Sequence, residues 1–169
     1  HSRELYFALD LVAFLATLAL HLVKTNRNLI RFYLLQSLVV VAFLLAIGLA
    51  EGDRGLVIVA LLSGLIKVVI APLFFARLIR RYGTRFTTNN YLSTPLTLTV
   101  LMGLVLFSYS SIFLPLGMLV PSAFGILPLN LAMILISIFM LINRRGAFSQ
   151  MVGILSLENS ILLLASFIG

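Results

Sequence analysis

The feature that most constrains this chain is a series of apolar segments, each long enough to cross a lipid bilayer. About six such segments follow one another, and each has roughly 20 residues, the length that a helix needs to span the hydrocarbon core. They lie at residues 5–23, 29–49, 56–75, 96–116, 123–142 and 148–168. Apolar residues run on without the alternation typical of barrel strands. The sequence therefore predicts an all-α, polytopic membrane helix bundle.

The composition agrees with this class of protein and excludes several others. Of the 169 residues, 62% are hydrophobic and 10% are charged, whereas soluble domains are about 45–50% apolar and about 25% charged. The chain has no cysteine, which excludes disulfides and iron–sulfur clusters held by this chain. Its two histidines, His1 and His21, cannot supply a paired haem ligation deep in a bundle. We predict a single membrane domain over residues 1–169 with no catalytic residue, cofactor or metal of its own.

The basic residues sort by side of the membrane. Nine of the twelve Lys and Arg residues lie in odd-numbered loops, namely Lys24, Arg27, Arg31, Arg77, Arg80, Arg81, Arg85, Arg144 and Arg145. The positive-inside rule makes these loops cytoplasmic and places the N-terminus outside, in a cell inner membrane. The net charge of +7 is then an orientation signal rather than a nucleic-acid surface. The arginines that follow the third segment form a cytoplasmic anchor able to bind anionic lipids or an acidic subunit surface.

Two ionisable residues, Lys67 and Glu158, lie near the centres of the third and sixth segments. A charge at a helix centre costs roughly 2.5–3.5 kcal/mol, and such residues usually face the bundle interior and mark ion paths or proton relays. We therefore predict a proton path through Glu158 and Lys67. The alternative is an interhelical lock, in which Lys67 pairs with Glu158 or with a neighbouring subunit. Pro72, which clashes with the carbonyl of Val68, predicts a kink beside Lys67.

Three further polar residues are weaker candidates. Gln36, beside Ser37 in the second segment, can donate and accept hydrogen bonds and extend a water chain, or it can simply join two helices. Asp10 is expected near the outer interface, with a possible place in the proton path. His21 is expected at the cytoplasmic interface, where histidine usually has no special role. Gly103 and Gly153 are compatible with close helix packing.

The last segment carries a resemblance to a known family. It reads RRGAFSQMVGILSLENS over residues 144–160, a basic turn that enters a helix with a central glutamate followed by small or polar residues. In this it resembles the hydrogenase-4 component E family, which is related to the K-type subunit of complex I and to the C-type subunit of multisubunit cation/proton antiporters. Lys67 with Pro72 resembles the third helix of component E. The run RFYLLQS over residues 31–37 resembles its second helix, with Gln36 and Ser37 near the position of the K-type glutamate.

The resemblance implies a non-catalytic membrane subunit of a complex I-like group 4 nickel–iron hydrogenase or related oxidoreductase complex. Glu158 would carry protons reversibly, Lys67 would tune its proton affinity, and Gln36 and Asp10 would extend the path. Nickel–iron and iron–sulfur centres would lie in partner subunits. The partners would be antiporter-like membrane subunits, other membrane subunits and a peripheral redox arm. Two alternatives stay open: a small subunit of a cation/proton antiporter, or a structural bundle that joins larger subunits.

The two ends of the sequence suggest a trimmed chain. It begins with His1 rather than Met, and it ends at Gly169, where the sixth helix is expected to leave the membrane. The family resemblance implies a continuation into another helix that bears a further glutamate.

The topology can be tested directly because the chain has no native thiol. We expect Arg81→Cys to be protected from an impermeant maleimide in intact cells and Asp53→Cys to be labelled, since the two loops lie on opposite sides. Permeabilised cells serve as the control for reactivity. Labelling of Arg81→Cys from outside would show that the orientation is inverted.

Overall fold

The computed structural model describes residues 2–82, 89–119 and 125–168, and its regular elements in these ranges are helices. They are α1 (Ser2–Leu22), α2 (Asn26–Glu51), α3 (Arg54–Gly64), a π-helical segment (Leu65–Ile70), α4 (Ala71–Tyr82), α5 (Thr94–Ser108), a short 3-10 turn (Ser111–Phe113), α6 (Leu114–Leu119), α7 (Leu127–Asn143) and α8 (Ala147–Ile168). The prediction of an all-α membrane bundle is confirmed. Arg85 and the start of the fifth predicted segment lie outside the described residues.

Four helices of the described chain are long and apolar enough to cross a membrane. They are Glu4–Leu22, Asn26–Glu51, Arg54–Tyr82 and Ala147–Phe167. The fourth predicted segment is a helix pair bent by 41° between Ser108 and Ser111, which counts as a fifth span if the pair is one unit. The fifth predicted segment contains α7, whose 17 residues are at the short end of the roughly 17–25 that span a bilayer.

The helices begin and end at the polar breaks in the sequence. The Thr25 side chain caps α2 by accepting a hydrogen bond from the Asn28 N–H at 3.3 Å. Gly52 ends the same helix with φ 66°, a left-handed conformation that glycine adopts without a steric cost. Asp53 then caps α3 by accepting from the Leu56 N–H at 3.1 Å. These side-chain caps satisfy N–H groups that the helices leave without partners.

The bundle has four inner helices and two outer ones. Helices α1, α2, α8 and α7 form a ring in which each packs against the next. The continuous helix Arg54–Tyr82 packs mainly on the outside of α2, and α5 packs on the outside of α7. The outer position of Arg54–Tyr82 leaves much of its apolar surface exposed, at Ile58, Val59, Leu61, Leu62, Leu65, Ile66, Val69, Ile70, Leu73 and Phe74. This face is available to lipid or to another protein.

The core consists of two apolar clusters at different levels of the bundle. One cluster contains Ala13, Phe14, Val39, Val40, Phe43, Leu44, Ala60, Leu101, Leu129, Ala132, Met133, Ile136 and Leu163. The other contains Leu20, Leu29, Tyr33, Phe75, Met140, Phe148 and Val152, at the end that carries most of the basic residues. In α1, α2, α7 and α8 the residues that separate the two clusters are polar, so the fold contains a polar layer between two apolar ones.

Gly48 and Gly153 lie at close contacts between helices, whereas Gly103 does not. A Cβ at Gly48 would lie 2.9 Å from Val57 Cγ2 and 3.2 Å from the Val57 backbone nitrogen, and one at Gly153 would lie 3.1 Å from Leu141 Cδ2. Close packing at Gly153 is therefore confirmed. A Cβ at Gly103 would meet no described atom within 4 Å, so the prediction for Gly103 was wrong.

We expect Gly48→Ala to destabilise the bundle by about 1–3 kcal/mol, because α2 and α3 must move apart to admit a methyl group. Gly103→Ala is the matched control and should be neutral or stabilising by about 1 kcal/mol, since alanine favours helix over glycine. Thermal melts of the purified chain in detergent compare the two variants. Equal melting temperatures for both variants would refute the close contact at Gly48.

Candidate functional site

A polar layer lies between the two apolar clusters, and the four inner helices and Lys67 of the outer helix contribute to it. Its members are Thr17, Gln36, Ser37, Lys67, Ser137, Ser156, Asn159 and Ser160, and all of them are buried. Glu158 lies at its edge. Buried polar groups need hydrogen-bond partners, because leaving one unpaired costs about 1–3 kcal/mol. The geometry of the layer follows from that requirement.

Lys67 is the charge at one end of this layer. Its ammonium lies 2.9 Å from Glu158 Oε1 and donates to Asn159 Oδ1 at 2.8 Å. Only 5% of Lys67 is exposed. The pairing of Lys67 with Glu158 is therefore confirmed, whereas the choice between a proton path and an interhelical lock stays a prediction. Glu158 and Asn159 both lie on α8, so their contacts with Lys67 join the outer helix to the inner bundle.

The backbone around Lys67 is π-helical rather than α-helical. The segment Leu65–Ile70 contains Lys67, and the Ala71 N–H bonds to the Ile66 carbonyl five residues back. Pro72 follows directly, and a proline ring would clash with the carbonyl four residues before it in a regular α-helix. The wider π turn accommodates Pro72 within one continuous helix, Arg54–Tyr82. Single π turns of this kind often lie at functional sites.

The Lys67 ammonium fixes the orientation of two side-chain amides. Because Asn159 Oδ1 accepts from Lys67, Asn159 Nδ2 points inward and donates to Gln36 Oε1 at 3.0 Å and to Ser37 Oγ at 3.2 Å. Gln36 Nε2 then donates to Thr17 Oγ1 at 2.8 Å and to Ser156 Oγ at 2.9 Å. Each amide uses its oxygen and both N–H groups. Gln36 thus joins helices α1, α2 and α8, and its predicted helix-joining role is confirmed.

The layer ends in serine hydroxyls between α7 and α8. Ser137 Oγ lies 3.0 Å from Ser156 Oγ and 3.4 Å from Ser160 Oγ. Ser160 donates to the Ser156 carbonyl at 2.9 Å. Thr17, on the other side, donates to the Ala13 carbonyl at 2.8 Å. A connected set of hydrogen bonds therefore crosses the bundle from Lys67 to α7.

The expectation that Glu158 faces the bundle interior was wrong. Its side chain is 53% exposed, whereas that of Lys67 is 6% exposed. Glu158 and Asn159 are neighbours on α8, so when Asn159 points into the bundle the preceding residue is turned by about 100° toward the outside. The ion pair consequently lies at the surface of the bundle, with the ammonium inside and the carboxylate outside.

Asp10 belongs to a different place in the bundle. It was expected near the outer interface, but it is fully buried. When the Asn130 amide is turned to donate, its nitrogen lies 3.0 Å from Asp10 Oδ2 and also contacts Oδ1. Among the described residues, no hydrogen bond links Asp10 to the Lys67 layer. The structure therefore brings Lys67, Glu158 and Gln36 together and leaves Asp10 apart.

A second polar cluster, which the sequence analysis did not predict, lies at the end of the bundle that carries the basic loops. His21 is buried rather than interfacial: it stacks on Phe139 and lies 2.9 Å from Asn143 Nδ2. Arg144 is also buried, and its NH2 donates to the Leu20 carbonyl at 3.1 Å and to the Val23 carbonyl. Burial lowers the pKa of Arg144 to about 10, so the guanidinium stays charged at neutral pH. It holds the last carbonyls of α1.

The buried polar residues show a regular spacing that the sequence analysis missed. In α1 they are Asp10, Thr17 and His21, and in α8 the corresponding set is Ser149, Ser156 and Ser160, with Asn159 buried beside it. Both sets follow the spacing i, i+7, i+11, which places all members on one face of a helix. In α7, Asn130 and Ser137 are also seven residues apart. A search for polar rather than apolar periodicity would have found these faces.

Within the described residues, no group of three or more His, Asp and Glu side chains could hold a metal ion. The charged chemistry of the polar layer is therefore that of an ammonium and a carboxylate supported by amides and hydroxyls. Neither known family models, nor curated proteins, nor solved structures match this chain.

We expect Asn159→Leu to lower the free energy of unfolding by about 2–4 kcal/mol, because it removes a partner from the buried ammonium and from the Gln36 carbonyl. Gln150→Leu on the same helix is the matched control: its amide makes only two bonds of 3.4 Å, and about 1 kcal/mol or less should be lost. Unfolding of the purified chain in mixed micelles measures both. Equal losses would mean that the network does not hold the bundle together.

Proposed function

We propose that this chain is a membrane subunit of a larger ion-translocating complex and that Lys67 and Glu158 form a segment of its lateral proton path. The observation that carries the proposal is the asymmetry of the ion pair. Lys67 is buried and anchored by Asn159, whereas Glu158 is 53% exposed on the outside of the bundle. A proton carrier at a subunit boundary needs this combination: one fixed member and one member that a neighbouring subunit can reach.

The position of Glu158 supports a partner at this face. Glu158 lies in the middle of α8, in a span long enough to cross the membrane. A charge at this depth facing lipid would cost roughly 2.5–3.5 kcal/mol, and Lys67 relieves only part of that cost. A helix from another membrane subunit that brings a donor to Glu158 would relieve the rest. The exposed apolar face of Arg54–Tyr82 beside it would be covered by the same partner.

The chemistry of the layer limits which groups can move a proton. Glu158 and Lys67 can each gain and lose one, and transfer across the 2.9 Å between them would turn the ion pair into a neutral pair. The amides of Asn159 and Gln36 donate and accept hydrogen bonds but do not titrate. We therefore assign them to positioning Lys67 rather than to the path.

The sequence resemblance suggests which complex this is. The basic turn at Arg144 leads into the helix that bears Glu158, and Lys67 precedes Pro72, as in the hydrogenase-4 component E family. We propose a complex I-like group 4 nickel–iron hydrogenase or related oxidoreductase. Its antiporter-like subunits would lie beside Glu158, and its nickel–iron and iron–sulfur centres would lie in a peripheral redox arm. The N-terminus would be outside the cell inner membrane.

Two alternative functions can be distinguished from the proposed one by measurement. A small subunit of a cation/proton antiporter would show transport that depends on Na⁺ or K⁺ without a redox arm. A purely structural bundle is favoured by the closed network around Lys67, since a satisfied buried network makes a fold rigid and unique. That function predicts that neutral replacements at Lys67 and Glu158 change stability and leave transport intact.

We expect Glu158→Gln to assemble normally and to lose most ion translocation, because glutamine keeps the shape of glutamate but cannot release a proton. Glu158→Asp should retain part of the transport, since the acid remains and only its reach is shorter. Proton uptake by proteoliposomes that contain the whole complex measures the effect, together with the redox activity toward artificial acceptors.

Glu51→Gln is the matched control for that experiment, since it removes one carboxylate at the exposed end of α2 and should leave transport unchanged. Subunit content on a gel establishes assembly. Wild-type pumping by a fully assembled Glu158→Gln complex would disprove the relay role and leave the pair as a structural lock.

A further inference from the structure

A polar cavity lies at the end of the bundle that carries the basic loops. It encloses about 290 Å³ and is lined by Leu22, Lys24, Asn89, Asn90, Leu92, Ser93, Thr94, Arg144 and Arg145. The cavity is separate from the Lys67 layer, because Leu20 and Met140 of the second apolar cluster lie between the two. Its size is near the lower end of the roughly 300–1,000 Å³ typical of small-molecule sites. It suits a small polar group.

The charges that line this cavity have one sign. Three basic side chains contribute to the wall, and none of the lining residues is acidic. All five carboxylates of the chain are elsewhere in the described structure, at Glu4, Asp10, Glu51, Asp53 and Glu158. The positive field in the cavity is therefore not balanced by an acidic side chain in its wall, and it would attract an anion.

Two arginines are held in place at this cavity by other contacts. Arg144 is buried, donates from NH1 to Asn90 Oδ1 at 3.2 Å, and leaves its Nε without a hydrogen-bond partner in the described structure. The guanidinium of Arg145 lies 4.8 Å from the centre of the Tyr91 ring, and the Arg145 N–H donates to the Asn89 carbonyl at 2.7 Å. Both cations are thus positioned before any ligand arrives, which lowers the entropic cost of binding.

The N-terminus of α5 faces the same cavity. Ser93 precedes this 15-residue helix, and its side chain makes no capping hydrogen bond. Ser93 and Thr94 add two hydroxyls to the lining. Pro95 in the first turn of α5 has no N–H, but the other first N–H groups of the helix and its dipole favour an anion at this point. Fixed cations, hydroxyls, amides and a helix N-terminus together are the donor set that binds phosphate.

We propose that this cavity binds a phosphate group at the surface of the bundle. Two sources supply that chemistry: the headgroup of an anionic phospholipid and free inorganic phosphate. Basic pockets between helices at the cytoplasmic surface recognise lipid headgroups in this way. The site differs from Arg77, Arg80 and Arg81, which are exposed residues of α4 rather than the wall of a cavity. It is also independent of the proton path, so either proposal can fail without the other.

The test uses the full chain, purified with any subunits that remain attached and delipidated in a zwitterionic detergent. Melting temperature is measured against increasing phosphatidylglycerol, phosphatidylcholine and inorganic phosphate. Arg145→Gln removes one cation from the cavity, and Arg54→Gln is the matched control because it removes one exposed cation at the start of α3, away from the basic loops. We expect about fivefold weaker binding for Arg145→Gln, since one basic residue contributes about 1 kcal/mol, and no change for Arg54→Gln. Lys24→Gln repeats the test on another part of the wall.

The outcomes separate the two sources from each other and from failure. Stabilisation by phosphatidylglycerol beyond phosphatidylcholine, weakened only by the cavity variants, supports the site with a lipid ligand. The same pattern with inorganic phosphate, and no added effect of the lipid, supports the site with a soluble ligand. No stabilisation of the wild type, or equal weakening by Arg54→Gln and Arg145→Gln, overturns the proposal, because binding would then be absent or a property of general surface charge.

Discussion

The burial of one ammonium group organises the polar interior of this protein. Lys67 lies in the apolar middle of the helix Arg54–Tyr82, and lipid could not solvate its charge. Asn159 and Glu158 are its partners. Because the Asn159 oxygen accepts from Lys67, the Asn159 nitrogen points toward Gln36, and this in turn fixes the orientation of the Gln36 amide. Through Gln36 this order extends to α1 and α2, and through Ser156 it reaches α7. A substitution at Asn159 or Gln36 therefore affects helices that do not touch Lys67.

The same layer explains how the outer helix is attached. Arg54–Tyr82 lies mainly against α2 and exposes most of its apolar surface. Within a membrane the hydrophobic effect does not drive helices together, so packing and hydrogen bonds must hold this helix in place. The bonds from Lys67 to α8 give this helix a fixed register, and the π-helical turn before Pro72 keeps the helix continuous there. The exposed carboxylate of Glu158 results from this attachment. It places this carboxylate beside the exposed apolar face of Arg54–Tyr82.

The two polar regions of the bundle have different chemistry. The Lys67 layer contains a cation, a carboxylate and closed hydrogen bonds, which suits the exchange of a proton with a neighbouring group. The cavity at Arg144 contains cations, amides and hydroxyls without a carboxylate, which suits an anion that stays bound. Apolar residues, among them Leu20, Met140 and Phe148, separate the two regions and keep the charge of one from being screened by the polar groups of the other.

The sequence by itself determined the class of fold, the breaks between helices and the two mid-membrane charges. It could do so because bilayer thickness sets helix length, and because Thr25, Gly52 and Asp53 act on the backbone next to them. Only the tertiary structure decided which partner each helix face meets. Glu158 and Asn159 are adjacent in sequence, yet one is exposed and the other is buried, since neighbouring residues on a helix point about 100° apart. The burial of Asp10 against Asn130, and of Arg144 against the end of α1, depends on helices distant in sequence. Local patterns carry no information about such contacts.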